Sequence, residues 1–361
     1  MKDLKEFERL ISIRIIQEDA ESIYSLLQSE RDSIFSMEII PYYALFVQAC
    51  QEYMGETFFP EHIAREIKDI RNYIKILDDG FGKSQKRVSS VDGMQDKVFK
   101  EQLKFEFLKT MNVHLNLGTY WTDNRQVVGN TQQIADFLSI NNTEDADSED
   151  KNRCFQMGYH IGSFVASIRE GLASSLTCPI VERRCVSTTV NYYCDINTNK
   201  RNQLFLEKNP KEINLFFLYL LCNMNFVKYI LMPLFIDGNA WSFRIEYLVS
   251  YYTFRALKRV KNYCESNKIV DIETTEISDV LEQGEGLFSS KLRNCMMHYN
   301  LEDAGVITFE NIDKPFYGII ENCFDGMSYL EYLEALHSLS NRIIDFLNMQ
   351  FDFSNIELEK L

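Results

Sequence analysis

Arg293, Asn294 and His298 stand close together in the stretch Ser289-Ser290-Lys291-Leu292-Arg293-Asn294-Cys295-Met296-Met297-His298-Tyr299-Asn300. Each brings a different chemistry. An imidazole exchanges protons near neutral pH. A planar guanidinium offers several donors to developing negative charge, and an amide can orient a neighbour or bind an oxyanion. On a helix turning about 100° per residue the stretch divides into two faces. Phe288, Leu292, Cys295, Met296 and Tyr299 form a core-facing stripe, while Arg293, Asn294, Met297 and His298 take the other side. Asn294 and His298 are neighbours there at i, i+4, and Arg293 lies about 140° around from His298, within reach of its long arm. Met297 is out of place on a face meant only for water.

The elements that must position these residues are mostly helical. A chain of 361 residues is long enough for two domains and a large core. With 45% hydrophobic residues, 13% aromatics and only 15 Gly and 6 Pro, it reads as a well-packed soluble protein of long helices. The formal net charge of −15 excludes a general nucleic-acid coat, which needs basic surface, but leaves room for one local basic cleft. The nine cysteines form no CxxC pair, and Cys178, Cys185 and Cys194 have no zinc-site spacing, so they read as reduced thiols of a cytoplasmic protein. The charged start Met1-Lys2-Asp3-Leu4-Lys5-Glu6 does not read as a signal peptide. His62, His114, His160 and His337 have no partners in sequence and read as structural or solvent-facing.

Along the chain, Leu4, Phe7, Leu10, Ile11, Ile15 and Ile16 predict a helix over 3–28. Pro41 and Pro60 mark the first turns of two more, ending near Met54 and Leu77. The second carries Ile70-Arg71-Asn72, an Arg-Asn pair with no histidine at the needed offset, which reads as chance. A polar stretch from Lys83 to Gly93 leads to a helix over 95–115, then a less regular part from Trp121 and a short helix over 131–138. The acidic run from Asn141 to Asn152 reads as a mobile surface loop before a helix over 154–172. Val186 to Cys194 and Gln203 to Leu206 predict a β-hairpin, which Arg183, Arg184, Lys200 and Arg201 make the most basic local patch. Asn209-Pro210 punctuates the chain, giving a helical domain over 1–177, a β-hairpin connector over 178–208 and a second helical domain over 209–361. Ile213 to Ile236 is apolar enough to raise the membrane question, but Asn214, Asn223, Asn225 and Lys228 interrupt it, so it reads as a buried helix. A helix over 240–265, an acidic linker over 271–285, the motif helix, a loop over 305–317 and an amphipathic helix over 329–351 follow.

Arg293, Asn294 and His298, with four residues between the ends and Tyr299 trailing, resemble the signature of the HEPN superfamily: an Arg, a polar residue after it and a His on a late helix of a bundle. The resemblance extends loosely over 209–361 and leaves 1–206 unmatched. It implies a mainly α protein with a C-terminal HEPN-like four-helix bundle, preceded by a helical N-terminal domain and a small β-hairpin. It further implies a metal-independent endoribonuclease, without cofactor, that uses 2′-hydroxyl attack to leave a 2′,3′-cyclic phosphate. His298 would transfer protons, Arg293 would meet the charge of the phosphorane, and Asn294 would orient His298 or bind a phosphate oxygen. Family members pair two motifs across one cleft, which implies a homodimer through the motif face with Met297 at its seam. Arg183, Arg184, Lys200 and Arg201 would help to hold RNA, and the N-terminal domain would receive a regulatory partner or ligand, as in a defence or toxin effector. Non-catalytic members leave a second expectation, a dimeric scaffold or a nucleotide- or RNA-binding regulator. Apart from the resemblance, Arg293 could simply pair with Glu282 or Glu285 of the acidic linker.

Overall fold

The computed structural model describes residues 2–29, 32–55, 58–76, 80–111, 114–138, 146–173, 181–182, 184, 189–200, 204–206, 209–267, 269, 274–305 and 307–361. Its first half holds α1 (Lys2–Leu27), α2 (Ser33–Glu38), α3 (Ile40–Met54), α4 (Glu61–Ile76), α5 (Phe81–Glu101), α6 (Glu106–Thr110), β1 (Leu117–Trp121), β2 (Val127–Asn130), α7 (Thr131–Phe137), α8 (Ala146–Ala173) and β3 (Tyr192–Ile196). Then come α9 (Lys211–Asn225), α10 (Ala240–Asn267), α11 (Thr274–Gly284), α12 (Ser290–His298), α13 (Ile319–Cys323), α14 (Tyr329–Asn348) and β4 (Glu359–Lys360). The chain is thus mainly helical with one small antiparallel sheet, in the order β2-β1-β3-β4.

Local chemistry sets several of these boundaries. Pro41 sits in the first turn of α3, where its missing N–H costs nothing, and Gly55 ends that helix in the left-handed region at φ 69°. α9 is buried at every position from Ile213 to Asn225, the pattern of a core helix enclosed on all sides. Its polar groups find partners: Asn225 donates to the Val127 carbonyl at 2.8 Å, and Asn214 accepts from Asn209 at 3.2 Å. The helix continues as a π-turn over Phe226–Leu231. Among the described residues, Ser33–Met54 and Lys211–Leu234 are long and apolar enough to cross a membrane, but 67% and 78% of their most apolar windows are buried inside the fold.

Four expectations are corrected. The polar stretch from Lys83 to Gly93 lies inside α5, because Phe81, Val88 and Val91, with Ser84 and Asp92, supply a buried face while the other polar residues lie outside it. The acidic linker contains α11, anchored by Ile277 and Val280. Of the acidic run from Asn141 to Asn152, residues 146–152 belong to α8, and 141–145 lie outside the described residues. Among the described residues no hairpin joins the two expected strands: β3 pairs with β1 and β4, and Phe205 bridges to Phe351. A hairpin forms instead between β1 and β2, in the part read as irregular. One continuous cluster of buried side chains runs from Phe7 to Ile356.

Within that core Glu38 ends α2 and lies 5% exposed against Gly129, where a Cβ would overlap its carboxyl. Burial pushes its pKa up to about 8, against the pull of one hydrogen bond from the Asn130 backbone. The folded-state pKa is therefore above the unfolded value, so the native state holds a proton that the unfolded chain has released. Stability falls as pH rises through this window. Between pH 6 and pH 8 the wild type is expected to lose about 2 kcal/mol more than Glu38→Gln. Urea melts of both proteins at the two pH values check this, and parallel pH dependences would refute it.

Candidate active site

The motif helix is built as its stripe predicts. Leu292, Cys295, Met296 and Tyr299 are buried, and the Ser289 hydroxyl caps the N-terminus by accepting from the Lys291 and Leu292 N–H groups at 3.1 and 3.5 Å. The C-terminus is unusual. Tyr299 takes the left-handed conformation (φ 54°, ψ 11°) that glycine normally supplies, and its N–H bonds the Cys295 carbonyl at 3.2 Å. Three contacts hold it there. Its hydroxyl donates to Asp19 Oδ2 at 2.6 Å, Phe46 meets its ring edge-on, and the Arg244 guanidinium lies 4.1 Å from its ring centre.

Arg244 also pairs with Asp19 at 2.7 Å and donates from Nη1 to the Met296 carbonyl at 2.7 Å. A buried cation thus satisfies the last turn of α12, where the helix dipole favours positive charge. Burial lifts the Asp19 pKa to about 6, although Arg244 and the Tyr299 hydroxyl pull it down. The three residues come from α1, α10 and the end of α12, and together they fix where His298, the last helical residue, must stand.

His298 does not lean on Asn294. Its Nδ1 lies 2.7 Å from Glu52 Oε2 on α3, and Gln48 donates to the other Glu52 oxygen at 2.9 Å. Arg71 Nη2, from α4, lies 3.7 Å from the same Glu52 oxygen that meets His298. Burial opposes charge on Glu52, but hydrogen bonds from Gln48 and His298 and the Arg71 guanidinium together hold its carboxyl below the ordinary range. In the neutral imidazole, a proton on Nδ1 directed at Glu52 leaves Nε2 as the proton acceptor. The His298 and Glu52 side chains are 32% and 37% exposed, so solvent and a substrate reach both.

Asn294 instead orients Arg293: its Oδ1 accepts from Arg293 Nη1 at 2.8 Å, and its Nδ2 donates to Asp303 at 2.8 Å. Arg293 is therefore engaged by Asn294 and not by Glu282 or Glu285. Met297 is 0% exposed within the single chain, because α3 and α10 pack on α12 from two sides, so it is a core residue and not a seam residue. Of the basic patch, Arg184 pairs with exposed Asp237 at 2.9 Å and Lys200 sits in the turn after β3. Neither joins the His298 network, and Arg183 and Arg201 lie outside the described residues. His114 bonds Asp96, His337 bonds Glu246, and His160 packs edge-on against Phe59.

Glu52 and Arg71 escaped the sequence reading. For Arg71 a signal was present: on α4 it falls between Ile67, Ile70 and Ile74, inside the buried stripe, where an arginine needs a reason. Glu52 carries no such mark, since its role arises only when α3 meets α12. No family model, curated protein or solved structure matches the chain.

Proposed function

We propose that the chain is an HEPN-type, metal-independent endoribonuclease, acting in the cytoplasm as a defence or toxin effector. The observation that carries this reading is His298, solvent-reachable and held through Nδ1 by Glu52, on the same helix as Arg293. α9, α10, α12 and α14 supply the HEPN-like bundle of this reading; α14 packs on α9 and α10, and α10 on α12. The 2′-oxygen of a ribose bonds to the adjacent phosphorus as the bond to the 5′-oxygen breaks. One proton leaves the 2′-hydroxyl and one reaches the 5′-oxygen, leaving a 2′,3′-cyclic phosphate and a 5′-hydroxyl. His298 Nε2 carries one of these transfers, and Arg293 faces the charge gathering on the phosphorane. The second transfer falls to His298 of a second copy, so the active species is a homodimer with the two motifs at one cleft. The N-terminal helices, besides receiving a regulatory partner or ligand, supply Glu52 to the site.

The test is incubation of purified protein with mixed-sequence RNA in EDTA, with analysis of the new ends. Fragments with cyclic phosphate and 5′-hydroxyl ends are expected. Uncut RNA overturns the reading, and tight binding without cleavage would make the chain a non-catalytic scaffold or nucleic-acid-binding regulator.

A further inference from the structure

Three donor groups near His298 are buried without a hydrogen-bond acceptor: Nε and Nη2 of Arg71, and Nε of Arg293. Arg71 is 4% exposed, so its donors are screened from bulk solvent. Among the described residues its Nη1 reaches only Asn72 Oδ1, at 3.5 Å, and Glu52 at 3.7 Å is an ion-pair neighbour beyond hydrogen-bonding distance from Nη2. An unmade bond of this kind is costly, more so for a charged group. One Glu52 oxygen lies 3.7 Å from Arg71 Nη2 and 2.7 Å from His298 Nδ1, which ties Arg71 to the helix that carries Arg293. Burial lowers the Arg71 pKa, Glu52 and Tyr252 raise it, and the charge of Arg293 lowers it. Guanidinium donors that no protein acceptor meets suit an anion. Phosphate suits them, because its oxygens accept from two planar forks at once.

We propose that Arg71 and Arg293 form a two-arginine phosphate site between α4 and α12, beside His298, and that Glu52 partly fills it when no anion is bound. The identity of the phosphate as an internucleotide one rests on the ribonuclease reading; the anion site itself does not. A cleft of about 430 Å³ opens next to it, lined by Gln48, Glu52, Gly55, Arg65 and Lys68 among others. Lys68 precedes Arg71 by one helical turn and puts a further positive charge on the cleft wall, while Arg65, one turn earlier, is paired with Glu61 at 2.8 Å.

The test is calorimetric titration of the full chain with inorganic phosphate. The wild type is expected to bind it, Glu52→Gln more tightly, and Arg71→Gln at least tenfold more weakly, with Arg71→Lys in between. Arg293→Gln, whose side chain is more exposed, serves if Arg71→Gln does not fold, and it should show the same loss. Phosphate affinity unchanged in a folded Arg71→Gln or Arg293→Gln, or no binding by Glu52→Gln, overturns the proposal. Phosphate bound through Arg71 by a protein that leaves RNA uncut keeps the anion site and removes the ribonuclease.

Discussion

Replacing Arg244 with alanine will lower the stability of the fold by about 3–5 kcal/mol, the cost of breaking a buried ion pair by removing one partner. Arg244 and Asp19 are 3% and 0% exposed, so neither charge has recourse to water. Without the guanidinium, the Asp19 carboxyl loses the strongest influence favouring its ionised form and must be protonated to stay buried. The same substitution removes the donor to the Met296 carbonyl and the cation over the Tyr299 ring. Adding Asp19→Asn to Arg244→Ala should recover part of the loss, because the remaining buried group is then neutral. Urea denaturation at pH 7 measures both. A loss under about 1 kcal/mol in the single variant, or no recovery in the double, would show that the pair is not what holds this end of α12.

His298→Ala is expected to lower RNA cleavage by about a thousandfold or more, within the range for removal of a positioned proton-transfer group. Arg293→Ala should cost about a hundredfold to a thousandfold, as for loss of one charged donor to a developing oxyanion. Asn294→Ala should fall short of both, since Asn294 acts by orienting Arg293. Stability should change little in His298→Ala, because that side chain is one-third exposed and makes its bond near the surface. Single-turnover cleavage of a short oligonucleotide, beside thermal melts of each variant, separates the two effects. Cleavage by His298→Ala at the wild-type rate would remove the imidazole from the mechanism.

What could be read in advance follows from the range over which each signal acts. The bounds of α3, α9, α10, α12 and α14 were legible because apolar spacing, prolines and caps act within a few residues. α5 was hidden because its buried side rests on a few residues, Phe81, Val88 and Val91 among them, while Lys83, Ser89 and Gly93 resemble a loop. β1 pairs with β3 across more than seventy positions, and no local pattern in either strand names the partner. The candidate site divides in the same way. Arg293, Asn294 and His298 share one helix and could be read together. Glu52 and Arg71 reach them only through tertiary packing, and Met297 changed sides because α3 covers a face that the isolated helix leaves open.

The bond between Glu52 and His298 spans 246 positions, and that between Asp19 and Tyr299 spans 280. Contacts of such separation form late, after the closing of a long loop. On the ribosome the first three hundred residues must emerge before any of these pairs can meet. A nascent chain, or a fragment lost to early termination, therefore carries arginines and carboxylates but no assembled centre. On the proposed ribonuclease reading, this delay would protect the message and the ribosome that are still making it.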